Sequence, residues 1–295
     1  MTIHLVVEHF SICSRLLLCA MVVGFACAAV AVGSVFAQDV SLGERTTISA
    51  ASAEEATVRN QISLQQQRLS SNDVEERRDA VLKLGWIKRP ESSRIAASAL
   101  NDPNEKVRAA ACAAVLSLPP DEAVSVLMPA LSDKRPFVRQ EAAFALGQTR
   151  SGTAALSLIN TLQTDEYLNV RAAAALALGQ IGAATSVDVL SATLKGVAEG
   201  KIRDKDKNEF EFLRRSAAVA LGQIGSRSGV PALIDALGRA TEPDDVRREA
   251  ARSLGVIADP SSIPALKAVL ADRDPYLSRI AQDGLDNIKG QPDQQ

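Results

Sequence analysis

The chain has 295 residues, of which 46% are hydrophobic, 3% aromatic and 23% charged, with a formal net charge of −2. Without a basic excess, nothing in the overall charge points to nucleic acid or an acidic membrane surface as partner. Length alone suggests about two domains, but that expectation fails where a chain grows by repeating one unit.

Arg15 precedes an apolar run from Leu16 to Phe36, ending in Val35-Phe36-Ala37 before Gln38. Small residues at the −3 and −1 positions after such a run fit signal-peptidase cleavage following Ala37. Export to the periplasm or the extracellular space is then expected. The alternative is an uncleaved anchor in the cytoplasmic membrane, since about 20 apolar residues span a bilayer. Neither Cys19 nor Cys27 follows a convincing lipobox. Residues 1–37 carry both histidines and three of the four cysteines, so a processed chain keeps only Cys112 and no histidine. No internal disulfide and no His/Cys metal site can then form, and neither a cofactor nor a metal is expected.

Residues 38–53 read as a flexible lead. From there to residue 289 one motif recurs: an aliphatic residue and Arg, then small residues, then Leu-Gly. The arginines are Arg77, Arg108, Arg139, Arg171, Arg214, Arg247 and Arg279. Counting each as zero, apolar residues fall at −1, +3, +4 and +7, one face of a helix. The Gly at +8 is expected to end that helix in a left-handed cap. A shorter amphipathic helix lies upstream in each unit, with Pro231 and Pro264 suited to first turns. The turn between the two helices holds Asp102, Asp133 and Asp165, each six residues before its arginine, whereas Asn208, Thr241 and Arg273 stand there in the last three units.

The motif Asp133, Val138-Arg139, Ala142-Ala143, Leu146-Gly147 resembles the HEAT family, in particular the short HEAT-like repeats of the phycobilisome lyase type. The resemblance implies an all-α, right-handed α-solenoid of about seven helix pairs, near 54–89, 90–118, 121–150, 153–182, 186–225, 229–258 and 261–289. A polar first helix with Gln65, Gln66 and Gln67 suits a terminal cap. The longer fifth unit carries a charged insertion, 196–209, read either as a solvated loop or as a contact edge. Residues 290–295 read as a tail.

No catalytic constellation emerges. Arginines and aspartates that recur in every unit fit structural pairing, since a catalytic pair is needed once. Cys112 sits at the +4 core position, where other units have alanine, with no histidine to activate it.

In HEAT arrays the second helices line the concave side. Positions +1, +2 and +5 are expected to point there, making Gln140, Glu141, Phe144, Leu176, Arg215, Val219, Arg248 and Arg252 the candidate partner-binding residues. Ala172 and Ala173 belong to the same set. Phe144, Leu176 and Val219 would form either an exposed apolar stripe or packing between neighbouring helices. The function expected is a non-catalytic exported scaffold that holds a protein or peptide partner. The alternatives are a bilin lyase-like or other chromophore-handling enzyme, as the namesake family implies, and a membrane-tethered assembly factor.

Overall fold

The computed structural model describes residues 53–196, 203 and 206–290; the expected signal segment, nearly all of the lead, most of the insertion and the tail lie outside them. The chain divides into two units, 1–58 and 59–295, and of the first only residues 53–58 are described. The rest of this section concerns the second.

Seven helix pairs follow in order, and the described residues contain no strand. The first pair is α1, whose residues 59–68 belong to this unit, and α2 (Val74–Trp86). Next come α3 (Pro90–Ala97) with α4 (Glu105–Ala114), and α5 (Pro120–Leu127) with α6 (Pro136–Thr149). They are followed by α7 (Ala155–Thr164) with α8 (Leu168–Ile181), and α9 (Val187–Lys195) with α10 (Lys207–Ile224). The last two pairs are α11 (Val230–Gly238) with α12 (Asp244–Ile257), and α13 (Ile263–Ala268) with α14 (Pro275–Gly290). From α4 to α14 each second helix packs on its own first helix, and from α2 to α14 successive second helices pack on one another.

Local chemistry sets the helix starts. Asp73 and Asn104 accept the amide hydrogens of Glu75 and Lys106, capping α2 and α4. Proline opens α3, α5, α6 and α14 and occupies the first turn of α11 and α13. In α6 the −1, +3, +4 and +7 residues are Val138, Ala142, Ala143 and Leu146, all buried, and the pattern repeats through α8, α10 and α12. The first helices contribute leucines such as Leu127, Leu158, Leu190 and Leu233 to the same continuous core.

The helix ends correct the expected glycine role. Gly147, Gly179, Gly222 and Gly255 lie inside their helices, and the left-handed residue comes three positions later. That residue is Gly182 (φ 73°) or Gly225 (φ 71°) in two units, but Lys88, Arg150 and Ala258 in three others. The +8 glycines serve helix contact instead. A Cβ on Gly147 would lie 2.7 Å from the Ala177 Cα, and one on Gly179 2.7 Å from the Ala220 Cα. Successive second helices therefore touch backbone to backbone at this level.

Two other expectations change. Gln65 is buried, and its Oε1 accepts from Arg68, so the glutamines of α1 do not share one solvent face. In the last unit the motif sits one residue earlier than Arg279 indicates. Leu277 and Ala281 occupy the buried −1 and +3 places and Ser278 stands where the arginine would be, while Arg279 is exposed.

Candidate functional site

The recurrent arginines and turn aspartates form a ladder between units. Arg77 Nε and Nη2 donate to Asp102 Oδ2 and Oδ1 at 2.7 and 3.0 Å. Arg139 grips Asp165 in the same way at 2.7 and 2.9 Å. The remaining guanidinium nitrogen donates to the backbone carbonyl of the arginine's own turn, as from Arg108 to Asp102 at 2.8 Å. Each aspartate also accepts the amide two residues on, as Asp133 does from Arg135 at 2.8 Å. It thus closes the turn rather than capping the helix.

The ladder continues where the expected aspartate positions failed. Glu242, one residue after Thr241, takes Arg214 at 2.7 Å. Asp272, one residue before Arg273, takes Arg247 at 2.6 Å. With Ser278 as the reference, Asp272 is again six residues upstream. In the last described unit Ser278 stands in the arginine's place. These groups are consumed by structure. A cleft of about 590 Å³ beside Asp102, Arg108 and Asp133 lies against the same ladder.

Cys112 is fully buried, and its Sγ donates to the Arg108 carbonyl at 3.5 Å. Burial, with nearby Glu141 and Asp133, pushes its thiol pKa up to about 12. That places it far from thiolate reactivity. Among the described residues no group of three or more His, Cys, Asp or Glu is arranged to hold a metal ion, and no helix is long and apolar enough to cross a membrane.

The second-helix face is narrower than positions +1, +2 and +5 suggested. Ala172 and Ala173 are 0% exposed and Ser216 is buried, because the neighbouring second helices close over these places. Gln140, Glu141 and Arg215 are half-buried at the same offsets. Phe144 is half-buried and packs against the core, while Leu176 and Val219 are half-buried without joining it. The stripe is therefore mixed, with Phe144 on the packing side.

The arginines at one end are not free cations. Arg215 lies 3.6 Å from Asp245, and Arg248 bonds Asp274 at 2.7 Å and Asp245 at 2.9 Å. Arg252 donates to Glu249 at 2.5 Å. This end of the face is a network of paired charges rather than a positive patch.

The most prominent outward position is −2, which the sequence reading left out. It carries Phe137, Phe212 and Tyr276, with Phe137 52% and Tyr276 69% exposed. The signal was available, since −2, +1, +2 and +5 are separated by helical steps of three, four and seven. Phe137 forms one wall of a groove of about 470 Å³ across α2, α4 and α6. Leu82, Ala110 and Ala113 give it an apolar lining, Arg78 of α2 and Lys106 of α4 also border it, and Glu141 stands four residues from Phe137 on α6. Burial alone raises the Glu141 pKa above the usual carboxylate range. Arg78 and Lys106 share Glu75, at 3.0 and 3.7 Å.

No curated protein sequence matches this chain. Among solved structures, human deoxyhypusine hydroxylase in complex with glycerol is similar at 21% identity, over 81% of this chain and 99% of that one, with a TM-score of 0.39. The complex of CpcE and CpcF of phycocyanin lyase from Nostoc is similar at 22% identity, over 77% and 94%, with a TM-score of 0.48. A family model of HEAT repeats matches residues 63–137, 93–173, 124–204 and 206–286, which together span most of the helical array. The chain belongs to the HEAT repeat family.

Proposed function

We propose that this chain is a non-catalytic scaffold whose second-helix face holds a protein or peptide partner. The observation that carries the reading is the groove across α2, α4 and α6, where an exposed aromatic wall, an apolar lining and separated charges meet on one surface. Exposed aromatic and aliphatic groups beside polar rims are typical of protein contact sites. The ionisable groups that recur along the array are already occupied by the ladder. The apolar run before Gln38 supports export as the setting, with membrane tethering if that run is retained.

The test is photo-crosslinking in the native host, with a photoreactive phenylalanine at Phe137 or Leu176 on the second-helix face. Leu156, exposed on first helix α7, is the control position. A discrete adduct from the first two positions and none from Leu156 is expected. Adducts confined to Leu156, or none anywhere, would reject the assignment. N-terminal sequencing of the recovered protein reads processing at the same time, with Gln38 first if Ala37 is the cleavage point.

A further inference from the structure

Three second helices carry an aromatic residue at −2, and an arginine stacks on two of these rings. Arg215 lies over Phe212 at 5.3 Å and Arg248 over Tyr276 at 5.4 Å. Each of these arginines also meets a carboxylate, Asp245 at 3.6 Å for Arg215 and Asp274 at 2.7 Å for Arg248. The arrangement of ring, guanidinium and carboxylate thus occurs twice at the −2 position, and it recurs within the ladder where Arg139 lies over Tyr167 and Arg214 over Phe210. A planar guanidinium suits both contacts, since it stacks on a π face while donating in its own plane.

At Phe137 the ring and the carboxylate are present and the cation is missing. Glu141 stands four residues on, hence beside Phe137 on the same helix face. Gln140 occupies the place that Arg215 holds relative to Phe212, and Ala109 the place that Arg248 holds relative to Tyr276. Among the described residues no arginine or lysine stacks on Phe137, and Glu141 has no ion pair. Arg78 on α2 and Lys106 on α4, which also line the groove, are engaged with Glu75. The carboxylate is instead desolvated without a counter-charge, which raises its pKa.

We infer that the groove across α2, α4 and α6 receives an arginine side chain of the partner, its guanidinium stacked on Phe137 and paired with Glu141, its stem over Leu82, Ala110 and Ala113. The inference rests on the scaffold reading and specifies the chemistry that the partner presents. It also accounts for the two residues at those places: Gln140 and Ala109 leave open the space that Arg215 fills beside Phe212 and Arg248 beside Tyr276.

The probe is an acetylated and amidated Ala-Ala-Arg-Ala-Ala peptide, with the citrulline peptide, its neutral isostere, as comparison. Binding to the full chain is followed through the ring signals of Phe137 in proton–carbon NMR spectra, assigned with Phe137→Leu. The arginine peptide is expected to shift them saturably, and the citrulline peptide to bind at least about five-fold more weakly. Glu141→Gln should weaken the arginine peptide by a similar factor while keeping the circular dichroism spectrum, since it removes a desolvated charge. Glu249→Gln, at the same offset on α12, should leave binding unchanged. Equal binding of both peptides, indifference to Glu141→Gln, or no shift up to about 10 mM peptide overturns the inference. A crosslinked partner on the second-helix face together with a silent peptide would reject the arginine site alone. A bound peptide without any crosslinked partner would reject the scaffold reading and keep the pocket.

Discussion

Arg108 donates from Nε to Asp133 Oδ2 at 2.6 Å and from Nη2 to Asp133 Oδ1 at 2.9 Å, so the arginine of one unit is held by the turn of the next. Its third nitrogen holds the turn of its own unit at the Asp102 carbonyl. One side chain therefore ties two turns together. Stability in a linear array is a sum of unit and interface contributions, and this contact belongs to the interface.

Removing Asp133 leaves the Arg108 guanidinium nearly buried without its partner. Asp133→Ala is expected to cost about 2–4 kcal/mol. Replacing both partners with apolar residues should cost less than the single change, because no charge is then stranded. Denaturant titrations of the two single variants and the double variant measure the coupling.

The same ladder sets an acid limit. For Asp272 the hydrogen bond from Arg247, then the Asp274 amide, holds the carboxyl below its usual range. For Asp102 and Asp133 burial acts upward, but the arginine and backbone hydrogen bonds outweigh it and the net shift is also downward. Folded-state values below the unfolded one, about 3.9, mean that the folded protein binds fewer protons in that window. Their contribution is full above the unfolded value and is lost as pH falls through the depressed folded values. Melting temperature should fall steeply below about pH 4, and Asp272→Asn should flatten that descent.

Helix contact at the +8 glycines gives a steric prediction. Gly147→Ala should destabilise by about 1–3 kcal/mol, since the new Cβ meets the Ala177 Cα of α8 at 2.7 Å, backbone that cannot move aside as the nearby Gln180 side-chain end can. Gly152→Ala, with nothing within 4 Å of its Cβ, should be close to neutral. Thermal melts of the pair distinguish packing from a general preference for glycine.

The left-handed helix ends predict the opposite sign. Arg150 adopts φ 54° at the end of α6, a conformation that costs a residue with a Cβ about 1–2 kcal/mol. Arg150 is exposed, so Arg150→Gly loses little packing and should raise stability by about 0.5–1 kcal/mol. A lower melting temperature would mean that the Arg150 side chain has a role the helix end does not explain.

Ala172 separates the two readings of the second-helix face. Because Ala172 is fully enclosed, Ala172→Asp should unfold at least the adjacent units, as Ala218→Asp should. Asn169→Asp, two residues before Arg171 on the exposed edge of α8, should be tolerated. Phe144→Ala should lower stability through its contact with the core, so its effect on binding is interpretable only at matched folded fraction.

The helical repeat was legible from the sequence by itself, because each unit must bury one face and so restates its period in −1, +3, +4 and +7. Val138, Ala142, Ala143 and Leu146 could not be read as anything but a core face. What one helix cannot reveal is how closely the next one approaches. Ala172 looks outward by its own helix phase, yet α10 and α6 press against α8 tightly enough to enclose it, since alanines and the +8 glycines allow backbone contact. The same limit hid the function of Gly147, which reads as a helix end in one dimension and is a contact between helices in three. The turn acid also escaped in the last units: Glu242 sits one residue off the expected place and is identified by the arginine it reaches, and Asp272 keeps the six-residue spacing only from Ser278, not from Arg279. Phe137 and Glu141 are neighbours by their four-residue spacing on α6; only the stacking of α2, α4 and α6 makes that pair the border of a groove, without the cation that stacks on Phe212 and Tyr276.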